Sequence, residues 1–165
     1  MHSKNLIHRD IKAENVLISN EKNKKGSNYI TKICDLGFCR EDDESVNTFC
    51  GTTNYMAPEI FEKKTYDLKV DIWALGVLIF SMLFGEFPFK GMNLFYEITT
   101  KCEKGFNLKA MKTRKNVSIS KNDQEMLHQL FNETFRIDPT KRIAISDLQK
   151  YKWFVTEKSS RNTTT

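Results

Sequence analysis

The chain has 165 residues, with 26 Lys and Arg against 21 Asp and Glu, a formal net charge of +5 and 39% hydrophobic residues. Such a composition suits one globular domain of average size and excludes a disulfide scaffold, a collagen-like chain and a wholly disordered polymer. The basic excess is modest and has no interleaved aromatics of the kind that stack bases, so it reads as a solvated surface, with no nucleic-acid partner expected.

The opening residues, MHSKNLIHRD, hold no signal-peptide core and no lipidation pattern. The expectation is an intracellular chain, cytoplasmic or nuclear, in which the sequons at Asn116, Asn132 and Asn162 carry no meaning. Residues 15–19 read as a short strand, residues 20–28 as a polar, lysine-rich hairpin loop, and residues 29–34 as the returning strand, rich in β-branched side chains. Residues 36–54 are polar and hold neither a helical nor a strand period, which marks a functional or disordered segment. A short helix is predicted over residues 57–63, with Pro58 near its first turn. Residues 67–84 form the next helix, and its section 72–84, IWALGVLIFSMLF, carries no charge. A bilayer span needs about twenty such residues, so this shorter run, apolar on every side, is read as a buried core helix.

Residues 93–104 set Leu94, Phe95, Ile98 and Cys102 on roughly one helical face. Residues 120–135 do the same with Met126, Leu127, Leu130, Phe131 and Phe135, behind Ser120 as a candidate cap. A last short helix is predicted over residues 146–151, capped by Ser146, and residues 155–165 are expected to be a disordered polar tail. Cys34, Cys39, Cys50 and Cys102 form no CxxC pair, which argues for free thiols in a reducing compartment. His2 and His128 have no neighbours that suggest a site. The expected architecture is mainly α with a small β-hairpin element.

The densest functional signal is His8-Arg9-Asp10-Ile11-Lys12-Ala13-Glu14-Asn15. Asp35-Leu36-Gly37, Ala57-Pro58-Glu59, Asp71-Ile72-Trp73-Ala74-Leu75-Gly76, and Arg142 after Asp138-Pro139 follow in order. Alone, Asp10 or Asp35 is a loop carboxylate and Lys12 a solvated amine. Together, in this order and spacing, the five segments resemble the HRDxKxxN, DFG, APE, DxWxxG and partner-arginine motifs of eukaryotic serine/threonine protein kinases. The resemblance covers residues 1–154 and implies the C-terminal lobe of a protein kinase domain, an α+β lobe truncated of its N-terminal partner.

The resemblance implies transfer of the ATP γ-phosphate to protein hydroxyls, a reaction that rests on positioning and charge neutralisation. It implies Asp10 as the group that accepts the hydroxyl proton and Lys12 as the positive charge at the transferring phosphate. Asn15 and Asp35 become Mg²⁺ ligands, both offering hard oxygens, and Leu17 packs under the adenine. Thr48 falls at the usual phosphorylation site, implying an activating kinase, with Arg9 and Arg40 as the phosphate clamp. Thr52, Tyr55 and Met56 are assigned to the substrate groove, with Thr52 touching Asp10 and Lys12. Glu14 sits where an acidic residue favours protein substrates with basic residues upstream of the phosphoacceptor. Glu59, Arg142 and Asp71 are assigned structural roles, the first two as a buried ion pair and the third as a holder of the loop backbone.

The departures are Leu36 for the usual phenylalanine, Tyr151-Lys152-Trp153-Phe154 for the usual HPWF ending, and a long, basic stretch over residues 20–28. No glycine-rich phosphate loop occurs; Gly85, Gly91 and Gly105 stand in no GxGxxG setting. The expectation is therefore a kinase lobe that begins at an internal methionine, inactive and poorly folded by itself. The alternative is a non-catalytic lobe that binds proteins or regulates full kinases.

Overall fold

The computed structural model describes residues 1–23, 26–42, 48–108, 111–115 and 118–151, with the side chains of all but 21–23 and 26–28. Its strands are β1 (Leu6–Ile7), β2 (Val16–Asn23), β3 (Gly26–Ile33) and β4 (Arg40–Glu41). Its α-helices are α1 (Pro58–Phe61), α2 (Lys69–Phe84), α3 (Leu94–Lys104), α4 (Lys121–Thr134) and α5 (Ile145–Leu148). The described residues are thus mainly helical with two small two-stranded sheets, β1–β4 and β2–β3.

Helix α2 is the centre of the molecule. Asp67 Oδ1 accepts from the Lys69 amide at 2.8 Å at its start. At its end Gly85 takes a left-handed φ of 73° and donates to the Ser81 carbonyl at 2.9 Å, the backbone geometry that glycine adopts without steric cost. Trp73, Val77 and Phe80 on α2 are fully buried. An aromatic cluster surrounds them: Trp73 stacks on Phe89 with centroids 5.3 Å apart, and Phe131 and Phe135 stack at 5.7 Å. Helix α4 crosses α2 closely because Gly76 has no side chain. A Cβ there would lie 2.7 Å from Thr134 Oγ1 and 3.0 Å from Phe135 Cε1. Among the described residues no helix is long and apolar enough to cross a membrane.

The caps of the longer helices follow local chemistry. Asn93 accepts from the Tyr96 amide at 3.1 Å and Ser120 from the Asp123 amide at 3.1 Å, each satisfying a free donor of the first turn. The last short helix departs from expectation. It begins after Ala144, with no side-chain cap, so Ser146 lies inside it and not at its head.

The hairpin also differs. Residues 20–23 and 26–28 are strand, not loop: β2 and β3 stay paired from Val16↔Ile33 out to Asn23↔Gly26. Ribbon pairing satisfies backbone groups whatever the side chains are, and Ser19 and Asn20, on opposite faces of it, are both exposed. A ribbon wet on both faces needs no apolar alternation, which is why its composition reads as a loop. A second difference lies in residues 36–54, where Arg40–Glu41 pairs with Leu6–Ile7 and Thr53–Tyr55 makes a 3₁₀ turn. The polar tail at 155–165 and Lys152, Trp153 and Phe154 lie outside the described residues.

Candidate active site

The loop from His8 to Asn15 runs between β1 and β2, and its shape is imposed from α2. Asp71, 2% exposed, accepts from the amides of His8 at 2.8 Å and Arg9 at 3.0 Å. His2 Nε2 donates to the same carboxylate at 2.9 Å, a partner 69 positions away that no neighbouring residue announces. With these ties Arg9 is held at a left-handed φ of 69°, a conformation uncommon for a non-glycine residue. The buried His8 ring accepts from the Asp10 amide through Nδ1 at 3.3 Å, so its Nε2 carries the proton and donates to the Cys34 carbonyl at 3.1 Å.

Asp10 is 4% exposed, yet its carboxylate is fully served. Oδ2 meets the Lys12 ammonium at 2.7 Å and the Asn15 amide at 3.1 Å. Oδ1 accepts from the Thr52 amide at 3.1 Å and its hydroxyl at 3.0 Å. Lys12 Nζ also reaches Thr52 Oγ1 at 3.0 Å, which closes a ring of three side chains. Burial alone would raise the Asp10 carboxyl, but the Lys12 ammonium and the two Thr52 donors outweigh it and hold the group below the usual carboxylate value. The same hydrogen bond, donated to Asp10, raises Lys12 above its ordinary value, against the smaller opposing effect of burial.

Asn15 ends the 3₁₀ turn Ala13–Asn15 and is buried. Its Nδ2 donates to the Asp10 carbonyl at 2.8 Å as well as to the Asp10 carboxylate. Both amide hydrogens are committed, which leaves Oδ1 as the unassigned end. Asp35 is brought beside it by the ribbon, because the Cys34 amide donates to the Asn15 carbonyl at 2.9 Å at the base of β2 and β3. Asp35 is exposed, sits at φ 62°, and accepts from the Gly37 amide at 3.2 Å. The two oxygens suit a small hard cation, which takes one or two protein ligands and completes its shell with water and phosphate.

The remaining site residues divide. Gly51 (φ 99°) lets the backbone pass the loop, since a Cβ there would stand 2.5 Å from the Arg9 carbonyl oxygen. This approach delivers Thr52 to Asp10. Tyr55 and Met56 are buried beside it, with the Tyr55 ring edge-on to Phe87 at 5.4 Å. Glu14 and Leu17 are exposed. Thr48 is exposed, and its carbonyl accepts from the Tyr66 hydroxyl at 2.8 Å. The Arg9 guanidinium donates to the Phe38 carbonyl through Nε and to the Tyr66 hydroxyl at 3.3 Å. Arg40 is not gathered with it: it is exposed on β4 opposite Ile7, and its side chain makes no hydrogen bond or ion pair among the described residues.

Glu59 and Arg142 form a two-pronged pair at 2.7 and 2.9 Å, with the two residues 3% and 1% exposed. The guanidinium also serves the carbonyls of Lys69 at 2.9 Å and Arg136 at 2.9 and 3.0 Å, and lies 5.1 Å from the Trp73 ring centroid. His8, His2 and Tyr66 are the functional neighbours that sequence reasoning missed. The first lies inside the HRD segment itself, while the other two meet their partners only in the fold.

Comparison with known proteins places this geometry. A family model described as the protein kinase domain matches residues 1–154. The chain is 34% identical over 160 residues to an Aurora kinase of Saccharomyces cerevisiae, covering 96% of this chain and 39% of that protein. It is 33% identical over 163 residues to the serine/threonine-protein kinase SIK2 of Gallus gallus, covering 97% of this chain and 18% of the relative. It is also 34% identical over 154 residues to the serine/threonine-protein kinase ste20 of Emericella nidulans, covering 92% and 16%. The chain therefore spans well under half the length of these relatives. With the motif order, the fold around α2 and the match over residues 1–154 in agreement, the chain belongs to the protein kinase family.

Proposed function

We propose that the protein transfers the γ-phosphate of ATP to serine and threonine hydroxyls of other proteins. The observation that carries this reading is the Asp10 carboxylate, ionised and held by Lys12, Thr52 and Asn15. Asp10 accepts the proton of the attacking hydroxyl and orients its oxygen, while Lys12 balances charge on the transferring phosphoryl group. Thr52 keeps both side chains in register. Asn15 Oδ1 and the Asp35 carboxylate would hold Mg²⁺. When bound, the ion neutralises phosphate charge as a Lewis acid. Leu17, an exposed apolar side chain at the base of β2, supports the adenine ring.

Glu14 is exposed on the same loop, which favours substrates with a basic residue upstream of the acceptor. Thr48 is the target of an activating kinase, and Arg9 receives its phosphate. These 165 residues contain no GxGxxG loop, so the proposed activity is that of this lobe acting with a partner that cradles the ATP phosphates.

The test is γ-phosphate transfer from radiolabelled ATP to a basic serine/threonine substrate by the full-length protein. Asp10→Asn is expected to lower kcat by about 10²–10⁴-fold, the usual weight of a positioned proton acceptor. Asp35→Ala is expected to abolish Mg²⁺-dependent transfer. Undiminished transfer in Asp10→Asn would overturn the mechanism.

A further inference from the structure

Arg9 adjoins Asp10, and how its side chain is held before any phosphate arrives is a question the kinase reading leaves open. The guanidinium is half-buried and has two partners among the described residues, the Phe38 carbonyl and the Tyr66 hydroxyl. Tyr66 is 6% exposed and stands just before the start of α2. Its hydroxyl uses both of its roles: it accepts from Arg9 at 3.3 Å and donates to the Thr48 main-chain carbonyl at 2.8 Å. The Cys50 sulfur lies 3.9 Å from the same oxygen. Burial, the main effect, pushes the phenol above its ordinary value despite Arg9, so it stays a protonated donor throughout the physiological range.

One hydroxyl therefore joins three pieces of chain. They are the residue next to the catalytic carboxylate, the backbone at residue 48, and the entry to the central helix. We infer that Tyr66 is a positioning residue for the reaction, its hydroxyl holding the Arg9 guanidinium and the Thr48 backbone together in the unmodified chain. A phosphate on Thr48 would compete for the same guanidinium with far more acceptor charge. The Tyr66 tie is then what sustains catalysis before modification and what modification makes dispensable. The inference rests on the proposed kinase activity, but the contact it describes can be read without it.

The test uses full-length protein. Thr48→Ala keeps the carbonyl that Tyr66 engages while preventing phosphorylation there. In that background Tyr66→Phe, which keeps the ring in its packed place, is expected to lower kcat about tenfold with KM for ATP unchanged, the weight of one hydrogen bond to a charged group. Arg9→Lys breaks the tie from the other side, so Tyr66→Phe with Arg9→Lys should lose no more than Arg9→Lys alone. With Thr48 intact and phosphorylated, Tyr66→Phe should cost less than about twofold, since the phosphate binds Arg9 directly.

Equal losses in the phosphorylated and unphosphorylated proteins, or losses that multiply in the double variant, overturn the inference. A readout free of activity separates it from the kinase reading. The Arg9 Nη1–H that Tyr66 accepts, followed by NMR, should exchange slowly with water in the parent and faster in Tyr66→Phe. Equal exchange overturns the inference even in an active enzyme. A parent that transfers no phosphate, modified or not, sinks the kinase reading and leaves the NMR comparison to decide the tie.

Discussion

At the scale of single residues, Asp10 owes its ionised state to its neighbours. Burial raises its carboxyl, and the Lys12 ammonium with the Thr52 donors brings it below the ordinary carboxylate value. A carboxyl depressed on folding stabilises the fold above the unfolded-state value, and that contribution is lost as the pH falls through the folded-state value. Lys12→Met removes the largest opposing partner. The Asp10 carboxyl is then expected to titrate at higher pH than in the parent, followed by ¹³C NMR of the side chain, and the acid side of the stability profile should shift upward with it. An unmoved titration would mean that Thr52 alone sets the ionisation. The same network separates what is legible in the sequence from what is not. Asp10, Lys12 and Asn15 lie within six positions of one another, so their spacing announces a site. Tyr66 and His2 are 57 and 69 positions from Arg9 and Asp71, and no local pattern carries such a pairing.

Among the elements, α2 and α4 depend on the bare face of Gly76. Gly76→Ala drives a methyl group against Thr134 and Phe135, where the closest approach would be 2.7 Å. Overpacking of this kind costs about 1–3 kcal/mol, more than the helix gains from alanine, and urea denaturation should report the loss. Stability equal to the parent would mean that Thr134 turns aside freely. Elements with strong local chemistry are readable in advance. The uncharged run of α2 marks a buried helix, and Asn93 and Ser120 mark the heads of α3 and α4. The short ones are not: β4 is two residues long, exposed, and exists because β1 offers it partners. The outer half of β2 and β3 is polar in sequence, and backbone pairing holds its register.

For the molecule as a whole, the Glu59–Arg142 pair locks the segment ending at α1 to the helical body. Arg142 binds Glu59, 83 positions away, and also the carbonyls of Lys69 and Arg136, so it joins three stretches of chain. Arg142→Met is expected to cost about 3–5 kcal/mol in urea denaturation, because it strands the Glu59 charge in the interior. Arg142→Met combined with Glu59→Leu should recover part of that loss, and a double variant as unstable as the single one would point to the carbonyl contacts as the larger share.

Asp71 carries a consequence for how the molecule is made. Its carboxylate shapes the His8 and Arg9 backbone from 63 and 62 positions downstream. On the ribosome the loop with Asp10 emerges before the anchor that bends it, which arrives only after α2 has begun to emerge. Until then nothing offsets the entropy of closing so long a stretch. The loop that carries Asp10 is therefore among the last parts of the lobe to take shape, and a ribosome stalled before residue 71 would display the complete motif without its geometry.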